Sequence, residues 1–284
     1  MAAADNTVVR FERDGDVAVI VIDNPPVNAG SMAVRAGIVA AVAKLDADTS
    51  LRAAVLIGAN DTFMAGSDIK EFGQPLSDPQ LPAVIAAIEN CSKPVVAALQ
   101  GAALGGGFEL ALGCDARVIA PNTLVGLPEV TLGMIPGAGG TQRLPRITGI
   151  AKAIELICSG QRVPAAQAAA LGLADKVIDG DFRSGAVVFV RTLNGKSRLR
   201  DKAVPVDDAV AIATAEQAGK KVAKNRPPAL AAIAAIKTAA TLPIDEALAQ
   251  ERVVFQELRM GKEAFALRHL FFAERDAAKD RRRS

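Results

Sequence analysis

Between Val95 and Ala120 the chain carries only four ionisable side chains, Glu109, Cys114, Asp115 and Arg117, although charged residues make up 23% of the whole. So uncharged a stretch belongs in an interior. Glu109 sits within it, in "LGGGFELALGCDARVI", among three glycines, a Phe and a run of Leu and Ala. A buried carboxylate without a partner is costly. The fold must therefore give Glu109 a reason to be there.

The surrounding pattern is strand, turn, helix. "DVAVIVIDNPP" (Asp16 to Pro26), "LRAAVLIGAN" (Leu51 to Asn60) and "KPVVAALQG" (Lys93 to Gly101) are apolar, largely β-branched runs closed by Gly, Pro, Asn or Asp, and read as buried strands. Between the first two, Val34, Ile38, Val42 and Leu45 recur at helical spacing from Met32 to Asp46. A helix is expected from about Gly106, and "DARVIA", "TLVG" and "DKVID" are further short strands. Strand signals stop after about Phe182. Helices are expected over Asp207 to Lys224, Pro228 to Thr241, Pro243 to Arg259 and Lys262 to Lys279. The reading is an α/β unit over residues 1–200 and a C-terminal all-helical region over 201–284, with a basic linker near 195–206.

Composition removes several function classes. The net charge of +2 and the absence of Trp and Tyr offer neither a strong field nor stacking platforms, so nucleic acid is not expected as a ligand. The basic clusters "RTLNGKSRLRDK" and "KDRRRS" read as a solvated linker and tail. Three cysteines, Cys91, Cys114 and Cys158, are irregularly spaced and suggest neither disulfides nor a metal site. They read as reduced core thiols of a cytoplasmic protein, and the polar N-terminal stretch does not resemble an export signal. The longest uncharged run, Pro94 to Phe108, contains four glycines and is shorter than the roughly 20 residues of a membrane span. No membrane association is expected.

Familiar catalytic motifs are missing. The chain has one histidine, His269, in a C-terminal amphipathic helix, and no G-x-S-x-G elbow, so a Ser-His-Asp hydrolase is not indicated. "GAGGTQ" (Gly137 to Gln142) ends in Gln where a dinucleotide fingerprint needs Gly, and it follows no strand. What remains is glycine and carboxylate. In "ALGGGFEL" three glycines lead into a helix whose first N–H groups lack intrahelical partners, a setting that holds an oxyanion. "FMAGSDIKEF" (Phe63 to Phe72) supplies a second Gly-bearing bend after a strand, and so a second donor. Glu109 lies three residues into the first of these helices. Glu129, just after Pro128, reads as a residue at a helix start. Two carboxylates beside two amide donors suit one kind of chemistry, in which a carbonyl is polarised, a water is held, and protons move at the neighbouring carbons.

At these residues the sequence resembles the crotonase (enoyl-CoA hydratase/isomerase) superfamily. "FMAGSDIKEF", "GAALGGGFELALGCDARV" and "LPEVTLGMIPGAGGTQRLPR" resemble its three signature segments in order. The linker "NGKSRLRDKAVPV" and the ending "RHLFFAERDAAK" are similar to those in the hydratase domain of multifunctional β-oxidation enzymes. The resemblance implies a crotonase-like β-β-α spiral core followed by helices, assembled as a trimer or dimer of trimers when it stands alone. It implies an oxyanion hole from the main-chain N–H groups of Ser67 and Gly106, gripping the thioester carbonyl of an enoyl-CoA. Glu109 would take a proton from the attacking water and Glu129 would deliver one to C2, a syn addition. Ala65 and Ile69 match positions that meet the adenine part of coenzyme A, and Asn28 and Ala29 match the pantetheine-side loop. No metal and no cofactor are implied, coenzyme A being part of the substrate.

Two positions depart from the family pattern: Ser67 stands where Ala is common, and Gly30 where a larger apolar residue is usual, which would loosen the pocket wall. A Δ3,Δ2-enoyl-CoA isomerase is the nearest alternative, because one Glu and the same hole can shuttle a proton. An RNA-binding scaffold with residual catalysis is the alternative from another class, and the weak charge argues against it. With no nicotinamide-binding fold after "KDRRRS", no dehydrogenase activity is expected of this chain.

Overall fold

The structure, a computed structural model, describes residues 8–68, 71 and 74–280. Its frame is a six-stranded sheet that joins, in spatial order, β1 (Val9–Asp14), β2 (Val17–Ile22), β3 (Ala53–Gly58), β4 (Val95–Leu99), β6 (Ala116–Ile119) and β9 (Lys176–Val177). All neighbours pair parallel except β1 with β2. Every residue of β2, β3, β4 and β6 is buried, which is why these segments read as unbroken apolar runs rather than alternating ones.

Two layers cover the sheet. Ala18, Ile20 and Ile22 of β2 face the main core with α1 (Met32–Ala47) and α2 (Leu81–Asn90), whose Val34, Ile38, Leu45, Val84, Ile85 and Ile88 are fully buried. Val17, Val19 and Val21 face the other way and pack under α7 (Phe182–Arg191) through Phe182, Ala186, Val187 and Val190. A second sheet joins, in spatial order, β5 (Ala102–Leu104), β7 (Leu124–Gly126) and β8 (Val163–Pro164). Both sheets are touched by α3 (Gly106–Leu112) and α6 (Ala165–Ala170), while α4 (Gly140–Arg143) and α5 (Pro145–Ser159) pack against other helices.

The C-terminal region is helical as expected: α8 (Ala209–Val222), α9 (Pro227–Thr238), α10 (Ile244–Arg259) and α11 (Lys262–Asp280). It does not keep a core of its own. Ala223, Ala229, Ala232, Ile233 and Ile236 belong to the same apolar cluster as Ile150, Ile154 and Ile157 of α5. Small side chains make this possible, since alanine faces let helix axes approach closely.

The basic linker is not simply solvated, and this corrects the sequence reading. Lys196 Nζ lies 2.8 Å from Oδ2 of buried Asp115, the Ser197 N–H donates to Asp115 Oδ1 at 2.7 Å, and Arg200 reaches buried Glu89 at 3.4 Å. Lys196 neutralises a carboxylate that the core would otherwise hold without a cation, and Arg200 adds a second cation to Glu89, which Arg143 already pairs. The basic tail from residue 281 lies outside the described residues. Among the described residues no helix is long and apolar enough to cross a membrane.

Candidate active site

The site begins where β5 turns into α3. The Met64 N–H donates to the Ala102 carbonyl at 3.1 Å and the Leu104 N–H to the Met64 carbonyl at 3.2 Å, so the segment leading to Ser67 runs alongside β5. That pairing sets Ser67 against the first turn of α3. A Cβ on Gly106 would lie 2.9 Å from Ser67 Oγ and 3.9 Å from the Ser67 nitrogen, and one on Gly107 would lie 2.1 Å from the Met64 carbonyl oxygen. Gly107 is thus required by close approach of two main chains, while at Gly106 a Cβ would crowd the side chains of Ser67 and Leu81. Gly105 caps the helix at φ 53°, a conformation that also favours glycine. Among the described residues neither the Ser67 nor the Gly106 N–H is given to an acceptor.

Glu109 follows in the first turn of α3 and is buried. Its Oε1 accepts from the Ala138 N–H at 2.7 Å and the Gly140 N–H at 2.9 Å. Burial pushes its carboxyl above the usual range, while the two amides and the nearby Arg143 and Arg252 favour the charged form.

Glu129 arrives by another route. The Gly105 N–H donates to the Gly126 carbonyl at the end of β7, and the chain then enters a single 3-10 turn, Glu129–Leu132. Pro128 caps this turn rather than opening an α-helix, so the helix start read from the sequence is a single 3-10 turn. Glu129 Oε1 lies 3.1 Å from where a Cβ on Gly105 would sit, and its Oε2 is buried with no hydrogen-bond partner among the described residues. Burial, followed by repulsion from Glu109, holds the Glu129 carboxyl well above the ordinary glutamate range.

Both carboxylates, Ser67, Gly106 and Ala65 line one cavity of about 240 Å³. Leu81, Leu104, Leu132, Met134 and Phe255 give it apolar walls, and Arg252 adds a guanidinium. A cavity of this kind fits an apolar substrate carrying one polar group to be gripped. Ile69 lies outside the described residues. Asn28 and Ala29 are not among the cavity's lining residues. Asn28, at φ 52°, donates its amide to the Ala59 and Thr62 carbonyls and accepts from the Asn24 N–H, which pins its loop in place. The space left by Gly30 is occupied, since a Cβ there would meet Met64 Sδ at 3.1 Å. The expected loosening of the wall at Gly30 is therefore absent.

The cysteines are free and buried, and desolvation raises all three thiols, Cys114 to about 12 and Cys158 to about 11. They are inert packing groups. His269 is exposed on α11. Sequence reasoning missed Glu251, a buried carboxylate of α10, and the amide-bearing loop 137–141. The glycine cluster of that loop was visible but looked like a failed nucleotide motif. Its position just after the Glu129 segment was the available signal.

The Enoyl-CoA hydratase/isomerase family profile matches residues 12–226. The chain is 43% identical over 270 residues to the peroxisomal bifunctional enzyme of Danio rerio, a match covering 93% of this chain and 37% of that protein. It is 36% identical over 300 residues to a peroxisomal fatty acid beta-oxidation multifunctional protein of Arabidopsis thaliana, covering 98% and 41% respectively. It thus spans about two fifths of the length of these curated relatives. Among solved structures, the enoyl-CoA hydratase from Bacillus anthracis superposes with a TM-score of 0.62 at 27% identity, covering 90% of this chain and 92% of that one. The fold is that of the crotonases, as the resemblance implied.

Proposed function

The chain belongs to the enoyl-CoA hydratase/isomerase family, and from the unequal environments of its two buried glutamates we propose that it adds water syn across the 2-trans double bond of an enoyl-CoA. The observation that carries this is the contrast between Glu109, bound by two amides, and Glu129, whose Oε2 has none. Two buried carboxyls that repel each other in one cavity favour a single negative charge, and the one with amide donors keeps it. Glu109 is then the base and Glu129 the acid.

In this scheme the thioester oxygen sits between the Ser67 and Gly106 amides, where negative charge develops as water attacks C3. Glu109 takes the proton from that water. Glu129 delivers its proton to C2 as the enolate collapses, on the same face, which gives the syn outcome. The residues themselves supply the acid–base and electrostatic chemistry, coenzyme A enters as part of the substrate, and no further cofactor is assigned. Ala65 is assigned to the adenine side of coenzyme A, with Asn28 and Ala29 shaping the loop on the pantetheine side. A trimer or dimer of trimers in a reducing compartment such as the cytoplasm completes the reading, and fatty acid β-oxidation is its setting.

The test mixes purified protein with crotonoyl-CoA and follows loss of the conjugated thioester absorbance. Rapid loss is expected, with Glu109→Gln and Glu129→Gln each slowing turnover about 10²-fold or more. Wild-type rates in either variant would remove the role assigned to that residue. A parallel assay on a 3-enoyl-CoA separates isomerase from hydratase activity, and double-bond migration without hydration would replace this reading with the isomerase one.

A further inference from the structure

Four consecutive main-chain amides, those of Ala138 to Thr141, are divided between two carboxylates. The Ala138 and Gly140 N–H groups donate to Glu109 Oε1, at 2.7 and 2.9 Å. The alternate pair points elsewhere: the Gly139 N–H donates to Glu251 Oε1 at 2.6 Å, and the Thr141 N–H to Glu251 Oε2 at 3.0 Å, with the Thr141 hydroxyl on the same oxygen. Glu251 comes from α10, far along the chain, and is 2% exposed.

The loop between the two carboxylates has no spare room. A Cβ on Gly140 would lie 3.0 Å from Glu109 Oε1, one on Gly139 2.9 Å from Leu248 of α10, and one on Gly137 2.2 Å from the Phe255 ring of α10. Gly139 also sits at φ 101°, so the loop's path depends on glycine and on what clamps it. Among the described residues no other acceptor takes the Gly139 and Thr141 amides. Buried N–H groups need acceptors, and without Glu251 those of Gly139 and Thr141 would have to turn toward others.

We propose that Glu251 is a positioning residue: by binding the Gly139 and Thr141 amides it holds the Ala138 and Gly140 amides on Glu109 and so fixes the geometry of the base. This rests on the hydratase reading of Glu109. The charged and titratable groups around Glu251 are Glu109 of α3, Glu129 of the 3-10 turn and its own neighbour Arg252. The clamp has a consequence for architecture, because it makes a helix beyond residue 201 part of the active-site framework.

The experiment compares Glu251→Gln, Glu109→Gln and the double variant on crotonoyl-CoA, with amide hydrogen exchange of the full chain read at Ala138 and Gly140. Glu251→Gln keeps the shape but loses one acceptor oxygen. It is expected to lower kcat about 10- to 100-fold with KM within about twofold, and to add less than about twofold to the loss in Glu109→Gln. Exchange at Ala138 and Gly140 is expected to accelerate at least about 10-fold while β2 and β3 keep their protection. Wild-type kcat, losses that multiply in the double variant, or unchanged exchange at the two amides would each overturn the proposal. Should Glu251→Gln fail to fold, Thr141→Val removes the hydroxyl donor to Glu251 and one of the acceptors of Gln142, which keeps the Ala235 carbonyl, and the same three readouts then decide. If the wild-type protein shows no hydration at all, the hydratase reading fails, while the exchange measurement still decides whether Glu251 holds the loop.

Discussion

Glu109 and Glu129 line the same cavity but differ in support: Glu109 Oε1 is held by two amide donors, whereas Glu129 Oε2 is buried with none. A fold that maximised stability would not keep the second carboxyl in this state. The arrangement is intelligible as a site that holds one charge and one proton ready, at a cost in folding free energy.

That cost is measurable through pH. Glu129 and Glu251 both have carboxyls raised in the folded state, Glu251 to about 8, with burial as the first cause. The folded chain therefore binds more protons than the unfolded one above the ordinary glutamate range. The contribution of these groups to stability is fully present below that range and falls as pH rises through the folded values. Glu129→Gln removes one of them. Its urea midpoint is expected to match wild type at about pH 4 and to exceed it at about pH 8. Because the other carboxylates are common to both proteins, the difference reports Glu129 together with the relief of its repulsion on Glu109 and Glu251. Equal midpoints at both pH values would contradict the burial cost assigned to Glu129.

The amide pair makes a different prediction. Only the Ser67 N–H is assigned a role, so Ser67→Ala should keep turnover on crotonoyl-CoA within about twofold. Gly106→Ala places a methyl 2.9 Å from both Ser67 Oγ and Leu81 Cδ2 and 3.9 Å from the Ser67 nitrogen, which crowds the space between the two amides. A loss of about 10-fold or more is expected, since one misplaced oxyanion donor costs about 10²–10³ when it is removed outright. Adding Ser67→Ala to Gly106→Ala removes one of the two clashing atoms and should return part of the activity. No recovery in the double variant would mean that the Ser67 side chain does not set the spacing.

Much of this architecture was legible because its strands are buried on both faces. "VAVIVI" and "AAVLIG" have no alternation to misread and fall at β2 and β3, and the four C-terminal helices begin and end within a few residues of the expected bounds. β1 was not read, since "VRFERD" is half charged or more; it survives as an edge strand because Arg10 and Glu12 pair with Asp23 and Arg183 at the surface. At the site, Glu109 stood out because its neighbours are uncharged. Glu251 did not, because on an amphipathic helix among Arg and Gln it looked like any solvated acid, and its burial depends on a loop more than a hundred residues earlier in sequence. Lys196 and Arg200 were hidden for the same reason: a local charge run says nothing of the buried carboxylates it meets.

Glu89 shows what such hidden pairing is worth. Arg143 binds it through Nε to Oε1 at 2.8 Å and Nη2 to Oε2 at 2.9 Å, with both side chains at most 3% exposed. Arg143 also donates to the Ala138 carbonyl at 3.1 Å, so the pair braces the loop that carries the Glu109 donors. Arg143→Met leaves Glu89 buried with only Arg200 at 3.4 Å and should lower stability by about 3–5 kcal/mol, since an uncompensated buried charge outweighs the attraction lost. Arg143→Met combined with Glu89→Leu removes that charge as well, and is expected to recover most of the loss in urea unfolding while hydration stays depressed, because the brace on Ala138 is gone. A double variant no more stable than Arg143→Met would show that the guanidinium matters for packing rather than for neutralising Glu89.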